Sequence, residues 1–519
     1  MQANPGTNAA TGTGAGRGAG AGTGGGTGPG TAAAGTTPRR SLPVRRRYHR
    51  PGENKVMPSL EEAIRQSGLA NGDTVSFHHH LREGDYVINM VMDAIAGMGF
   101  RDICIAPSSL NEVNDPILKH IESGVIGLMT TSGMRGELGL ALSRGTYGFP
   151  VLFRSHGGRA RAIEEGSLSI DVAFIAAPSC DRFGNITGTL GPSACGSLGY
   201  AVPDAHYAAS VVAVTDNLIE GPLPEFSIPG CLVDFVAKVD VIGDPTRISA
   251  GATRITRNPV DLVIADKAAR IIHSSRVYGP GFSMQFGTGG ASLAIARYLS
   301  EYMRQDGVRA SFILGGITAQ CTQMLEAGLT DAIFDVQCFD QTAVKSLAAH
   351  PRHAEIGVSH YANPNTAGAM VDFLDVVVLS AMEVDMDFNV NVLTGSDGVV
   401  RGASGGHCDA AAGAKLTIVV APGVRGRLPL VLDRVGTIIT PGTDVACVIT
   451  DLGVAWNPRY SDLAPSSGEA GVDIMEIGEL RARIERLTGR PEPLPKGDLI
   501  VGEVEYRDGS IIDVIRTVV

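Results

Sequence analysis

The stretch Asp375-Val-Val-Val-Leu379-Ser-Ala-Met-Glu383-Val-Asp-Met-Asp-Phe-Asn-Val-Asn391 joins an uninterrupted apolar run to a cluster of acids and asparagines. A run with no polar alternation reads as a strand buried on both faces, as in a parallel sheet. The polar residues then fall at its C-terminal end, where open α/β sheets hold their ligands. Ser404-Gly-Gly-His-Cys-Asp409 follows soon after, and its glycines leave backbone N–H groups uncovered. A strand end facing such a loop suits a carboxylate or a developing oxyanion. A tight, capped structural turn is the alternative reading of the same residues.

The alternation of strand and helix runs outward in both directions. Apolar runs at 103–105, 125–129, 151–154, 172–177 and 210–214 are separated by helical periods or loops. The stretch 85–98 puts Ile88, Val91, Met92, Ile95 and Met98 on one face, the spacing of an amphipathic helix. Ser59 is placed to cap an earlier helix, with Glu61 and Glu62 in its first turn. The segment 243–258 lacks a strong apolar period, carries Pro245, Ser249 and Gly251, and reads as a boundary. A second set of strands recurs at 310–314, 331–335, 375–379, 416–420 and 445–450, with helices near 291–303 and 319–327. This pattern predicts an α/β protein with mostly parallel sheets. The expected organisation is two tandem layered domains, 58–245 and 258–519, behind a tail over 1–57. No repeat between the halves is visible in the residues themselves.

Residues 5–36 are almost entirely Gly, Ala and Thr, and Arg39, Arg40, Arg45, Arg46, Arg47 and Arg50 follow. Such a segment buries too little surface to offset its ordering entropy, so disorder is expected there. Hydrophobic residues make up 44% of the 519, which allows a sizeable core, and aromatics only 5%, so that core must be aliphatic. A net charge of −11 argues against nucleic-acid binding. No apolar run is long and uncharged enough to span a bilayer, and no secretory segment is seen. The eight cysteines form no C-x-x-C pair and sit mostly among apolar neighbours, which makes a cytoplasmic location the simplest expectation.

Four clusters carry chemistry. In Ser76-Phe-His-His-His-Leu-Arg82, strand alternation turns His78 and His80 to one side and His79 to the other, so one metal ion cannot easily take all three. No metal is expected. His78, His80 and Arg82 are placed to meet a carboxylate, with a structural role as the alternative. In Arg154-Ser-His-Gly-Gly-Arg-Ala-Arg161, two glycines let a polyanion approach closely among Ser155, His156, Arg159 and Arg161. A surface basic loop is the alternative there. Thr131-Ser-Gly-Met-Arg-Gly-Glu137 adds Arg135 from a neighbouring strand end. In Gly281-Phe-Ser-Met-Gln-Phe-Gly-Thr-Gly-Gly-Ala-Ser292, Gly287, Gly289 and Gly290 precede a helix, an arrangement that binds phosphate or carboxylate. It fits neither the dinucleotide fingerprint nor a P-loop. The fourth cluster is 383–391 with 404–409. No hydrolase nucleophile motif in a strand–helix context and no zinc spacing is present.

Ser76-Phe-His-His-His, Arg154-Ser-His-Gly-Gly-Arg-Ala-Arg161, Asp181-Arg-Phe-Gly-Asn185, Gly315-Gly-Ile-Thr318, Asp335-Val-Gln-Cys-Phe-Asp340, Tyr361-Ala-Asn-Pro364, Phe388-Asn-Val-Asn391 and Gly405-Gly-His407 together resemble the α subunit of bacterial citrate lyase. The resemblance runs from about Val75 to about Pro458, with the motifs in family order. It implies two CoA-transferase-like α/β domains facing each other. It also implies a transferase that exchanges acetyl for citryl on a carrier thiol. A β (lyase) subunit would then cleave the citryl thioester, and a γ (acyl carrier) subunit would bear the phosphoribosyl-dephospho-CoA arm. The co-substrate would be acetyl-CoA or that arm, no cofactor would be bound covalently, and an oligomer is expected.

CoA-transferases of the covalent class place a glutamate after a strand that matches Ser311-Phe-Ile-Leu314. Here Gly315-Gly-Ile-Thr318 follows without an acid. That favours direct attack of a citrate carboxylate on the acetyl thioester, through a mixed anhydride. Under this reading Arg82, His156, Arg159 and Arg161 neutralise citrate carboxylates, with His78, His80, Arg135 and Ser155 beside them. Gly405 and Gly406, helped by His407, hold the oxyanion, and Gly287, Gly289 and Gly290 hold the thioester arm. Glu383 and Asn391 orient substrate hydroxyls. The rivals are a covalent route through Glu383, a thioester hydrolase, and a non-catalytic scaffold for the lyase complex.

Overall fold

The computed structural model describes residues 50, 52–249, 256–287, 289–492 and 494–518, and among them the apolar runs assemble into two large sheets. The first sheet has ten strands, in the spatial order Val56–Met57, Phe235–Lys238, Ser210–Thr215, Val172–Ala177, Thr74–Phe77, Ile103–Pro107, Ile126–Thr131, Val151–Arg154, Lys496–Glu505 and Ile511–Val518. Its pairs are parallel except for the last hairpin. The second has nine strands, in the order His353–Glu355, Thr330–Cys338, Ala310–Ile317, Ser283–Phe286, Val376–Ser380, Leu416–Val420, Cys447–Thr450, Gly453–Trp456 and Ile474–Met475. Only Cys447–Thr450 and Gly453–Trp456 run antiparallel there. Most of the longer helices that cover these sheets bury an apolar stripe. Val87–Gly97, for example, buries Val87, Ile88, Val91, Met92 and Ile95. No helix among the described residues is long and apolar enough to cross a membrane.

The structure corrects the expected boundaries at both ends. Val56–Met57 is an ordered edge strand paired with Val236 and Ala237, so the tail reading fails at its last residues. The amine of the buried Lys55 donates to the carbonyls of Gly230 at 2.5 Å and Val233 at 2.6 Å, which ties this edge down. Residues 1–49 lie outside the described residues. At the other end, Lys496–Val518 does not stay with the second sheet. It returns to the first, where Gly502, Glu503, Val504 and Glu505 pair with Val151, Leu152, Phe153 and Arg154.

The halves also share a repeat that the residues do not advertise. The Asp181 carboxylate accepts from the N–H groups of Phe183 (2.9 Å), Asn185 (3.0 Å) and Leu223 (2.9 Å), and the Asn185 side chain in turn accepts from Gly230 (2.7 Å). Asp385 accepts from Asp387 (3.0 Å), Asn389 (2.9 Å) and Val435 (3.3 Å), and Asn389 accepts from Gly442 (2.9 Å). Each network pins a small sheet beside a large one. The acids and asparagines of 383–391 are therefore largely turn and capping residues.

The C-terminal strand ends of the two sheets face each other. Gln337, ending Thr330–Cys338, donates from Nε2 to the His79 carbonyl at 2.8 Å. Ser404 N–H donates to Ser132 O at 2.7 Å, and His156 N–H to Gly405 O at 2.8 Å. This apposition places the loops of one half against those of the other.

Candidate active site

The triple histidine keeps strand alternation past the end of Thr74–Phe77. The His78 and His80 rings stack 5.6 Å apart, with His78 Nε2 3.1 Å from an Asp204 oxygen. His79 turns the other way, onto His156 (ring centroids 5.3 Å) and Tyr200 (5.0 Å). The facing loop completes the wall. A Cβ on Gly405, at φ +53°, would stand 3.6 Å from His156 Nε2. One on Gly406 would stand 2.6 Å from the Tyr361 hydroxyl, so only glycine fits between that hydroxyl and the start of helix His407–Gly413. Gln285 Nε2 donates to the Tyr361 hydroxyl at 2.9 Å. Gln285 Oε1, Ser132 Oγ and His156 Nδ1 are buried without a hydrogen-bond partner among the described residues. Unmet polar atoms converging on one cleft mark a place for a polar ligand.

Two cations border this cleft. Arg82 has φ +51°, a left-handed conformation costing an L-residue about 1–3 kcal/mol. Its guanidinium lies 4.6 Å over the Phe339 ring and donates to Ile248 O at 3.1 Å. Burial, and then the charge of Arg135, push its pKa down to about 10. Arg135 donates to Asn111 Oδ1 at 3.2 Å, and burial lowers its pKa too. Neither has a carboxylate within 4.0 Å among the described residues. Glu83 acts on both from a distance and Glu112 on Arg135, but partly desolvated guanidiniums with no carboxylate in contact are costly, and a bound anion relieves that cost.

Several expected site residues are committed elsewhere. Arg159 makes a bidentate pair with the buried Asp204, at 2.8 and 2.7 Å, and also donates to Ala106 O at 3.0 Å. Burial alone would raise the Asp204 pKa, but Arg159 and His78 together hold it low. Arg161 donates to Glu505 at 2.8 Å and to Arg507 O at 3.1 Å, which anchors the C-terminal hairpin. Ser155 caps helix His156–Glu164 through Gly158 N–H and donates to Asp409 at 2.8 Å. Both His407 nitrogens are used, Nδ1 with Thr440 Oγ1 at 2.7 Å and Nε2 with Ser380 O at 2.9 Å, and burial lowers its pKa to about 4. Glu383 Oε2 accepts from Asn391 at 2.8 Å and from Gly436 N–H at 2.9 Å, while Asn391 also donates to Thr394.

The structure thus brings Arg82, Arg135, His156, Gly405 and Gly406 together. His78, His80, Ser155, Arg159, Arg161, His407, Glu383 and Asn391 support them or stand apart. Gly287 donates to Val378 O at 2.8 Å, and Gly289, at φ +122°, caps helix Gly290–Asp306 with open space at its Cβ position. His79, Tyr200, Gln285 and Tyr361 join the site without having been assigned to it. The parity of the histidines held the signal for His79, since the alternation was right and only the face was misjudged. Tyr361 stood in a quoted motif and Gln285 in the glycine loop, while nothing local marked Tyr200. A cavity of about 840 Å³ lies elsewhere, between the 394–398 loop, helix Ile477–Thr488 and strand Ile511–Val518, and none of the cleft residues lines it.

Two α/β halves meeting through their strand ends across a polar cleft define a CoA-transferase-like fold. The chain belongs to the citrate lyase α-subunit family: the family model "Citrate lyase, alpha subunit (CitF)" matches residues 53–518. It is similar to the citrate lyase alpha chain of Klebsiella pneumoniae, 51% identical over 466 residues, covering 90% of this chain and 92% of that one. It is also similar to a crystal structure of the putative α subunit of citrate lyase from Streptococcus mutans in complex with citrate. That match has a TM-score of 0.88 and 51% identity, over 91% of this chain and 93% of that chain. The α/β fold is shared more widely. A Pseudomonas malonate decarboxylase hetero-tetramer aligns with a TM-score of 0.63 at 15% identity, over 85% of this chain and 95% of that chain.

Proposed function

We propose that this chain transfers a carrier thioester from acetate to citrate, within a complex that also contains a lyase subunit and an acyl-carrier subunit. The observation that carries the site assignment is the pair of desolvated guanidiniums, Arg82 and Arg135, beside the glycine loop at 405–406. Two fixed cations suit a substrate with several carboxylates, and a third carboxylate is left to react. That carboxylate attacks the acetyl thioester carbonyl and expels the thiolate, giving a mixed anhydride. The thiolate then attacks the citryl carbonyl and acetate leaves. Holding two anions in line is worth as much as ~7–11 kcal/mol of barrier. Backbone N–H groups at 405–406 are the oxyanion donors, each worth roughly 3 kcal/mol. Gly289 and the start of its helix are the docking point for the thioester arm of acetyl-CoA or of the phosphoribosyl-dephospho-CoA group. A covalent route through Glu383 is disfavoured, because one of its carboxylate oxygens is held by Asn391 and Gly436.

Purified chain incubated with citrate and acetylated carrier, or acetyl-CoA as its surrogate, should yield citryl thioester and acetate by mass spectrometry. Thioester loss without citrate would indicate a hydrolase, and an intact thioester with the carrier would leave only a scaffold.

A further inference from the structure

We propose that His79 is a neutral Nε2–H donor to the oxygen that becomes negative during acyl transfer, and that Ser108 is the positioning residue that fixes this tautomer. The role rests on the transferase reading above.

Ser108 follows strand Ile103–Pro107, next to Thr74–Phe77 in the first sheet, and is 1% exposed. Its hydroxyl oxygen accepts the His79 backbone N–H at 3.1 Å and lies 2.5 Å from His79 Nδ1. A hydroxyl has one proton to give, and a buried one must give it to an acceptor. Among the described residues Nδ1 is the acceptor in reach. Nδ1 is therefore the lone-pair nitrogen, and the ring proton sits on Nε2.

The ring is held in place as well as in tautomer. It packs against both His156 and Tyr200, whose own rings are 4.3 Å apart, and His156 Nε2 lies along Gly405. The ionisable groups that act on His79 are His156, His80, Arg82 and Arg135, the two arginines being the charged ones. Burial first, then these neighbours, keep its pKa well below the usual imidazole range, so the ring stays neutral. Charged groups beside it thus take up the carboxylates, while the ring offers one hydrogen bond from Nε2. In the step itself the citrate oxygen bonds to the thioester carbon and the carbonyl pair moves onto oxygen. His79 donates to that oxygen without losing its proton, and the pair returns as thiolate leaves. A donor that strengthens only as charge develops lowers the barrier rather than tightening substrate binding.

His79→Phe, which keeps a ring for the stack, should lower kcat by about 100-fold with little change in citrate KM. Ser108→Ala should give a smaller loss of kcat, also at constant KM, and Ser108→Thr should restore it. In chain labelled with 15N-histidine, the signal absent from His79→Phe should show Nε2–H and acceptor Nδ1, and Ser108→Ala should populate the other tautomer. A protonated Nδ1 in the wild type would overturn the assignment, as would unchanged kcat in both His79→Phe and Ser108→Ala. Wild-type chain that fails to transfer acyl groups with the acetylated carrier would instead sink the transferase reading, and the catalytic role with it.

Discussion

Arg82 and Arg159 both follow strands of the first sheet and both are largely withdrawn from water, yet they are predicted to do opposite things. Arg159 already has its carboxylate. Arg159→Ala leaves the buried Asp204 with only His78 beside it, and should lower unfolding stability by about 3–5 kcal/mol, as read from denaturant midpoints. Adding Asp204→Ala should recover part of that loss, and a double variant no better than the single one would show that the pair is not the cause. Arg82 has no carboxylate partner among the described residues. Arg82→Ala and Arg135→Ala should each raise the citrate KM by roughly 10- to 100-fold while leaving the fold intact. An unchanged KM in both would remove them from the binding site. Gly406→Ala brings a methyl group to 2.6 Å from the Tyr361 hydroxyl. Its kcat should fall, and Tyr361→Phe in the same chain should relieve part of the strain, which a double-mutant cycle measures.

At the scale of elements, the C-terminal hairpin does more than close the first sheet. Glu505 receives Arg154 at 3.0 Å and Arg161 at 2.8 Å, and Arg161 lies on the helix that begins with His156. The hairpin therefore steadies the element that brings a site residue to the cleft. Glu505→Ala leaves the buried Arg154 without a carboxylate and Arg161 with Glu165 alone, and should cost about 3–5 kcal/mol of stability. The hairpin should also become susceptible to limited proteolysis between 496 and 518. A variant as resistant and as stable as the parent would mean that strand pairing with Val151–Arg154 alone anchors it. The helix starting at His407 is tied in a comparable way, through Ser380 and Thr440, and both are contacts with the second half's own sheet region.

The whole molecule carries a pH signature, because His79, His156 and His407 are buried as neutral rings. Burial lowers the pKa of His156 to about 3 and of His407 to about 4. A lowered folded pKa means that the unfolded chain binds the proton more readily. The stability is then complete above the unfolded value near 6.5 and is lost as pH falls toward the folded one. His407 alone should account for roughly 2 kcal/mol of loss between pH 7 and pH 5. Asp409, raised by burial to about 6, works in the opposite sense. The test is a comparison: His407→Gln should lose less stability than the parent over this range, and equal slopes would refute the account. By itself the sequence determined the class of fold, the order of strands and helices, and the segments that line the cleft. Apolar period and glycine placement are local properties of the chain. It left open which side chains of those segments were free. Arg159 and Arg161 read the same as Arg82 along the chain, and so did Glu383 as an open carboxylate. Only tertiary structure decided between them, because their partners Asp204, Glu505 and Gly436 are distant in sequence. A buried charge is spent wherever folding brings its counter-charge within hydrogen-bond reach.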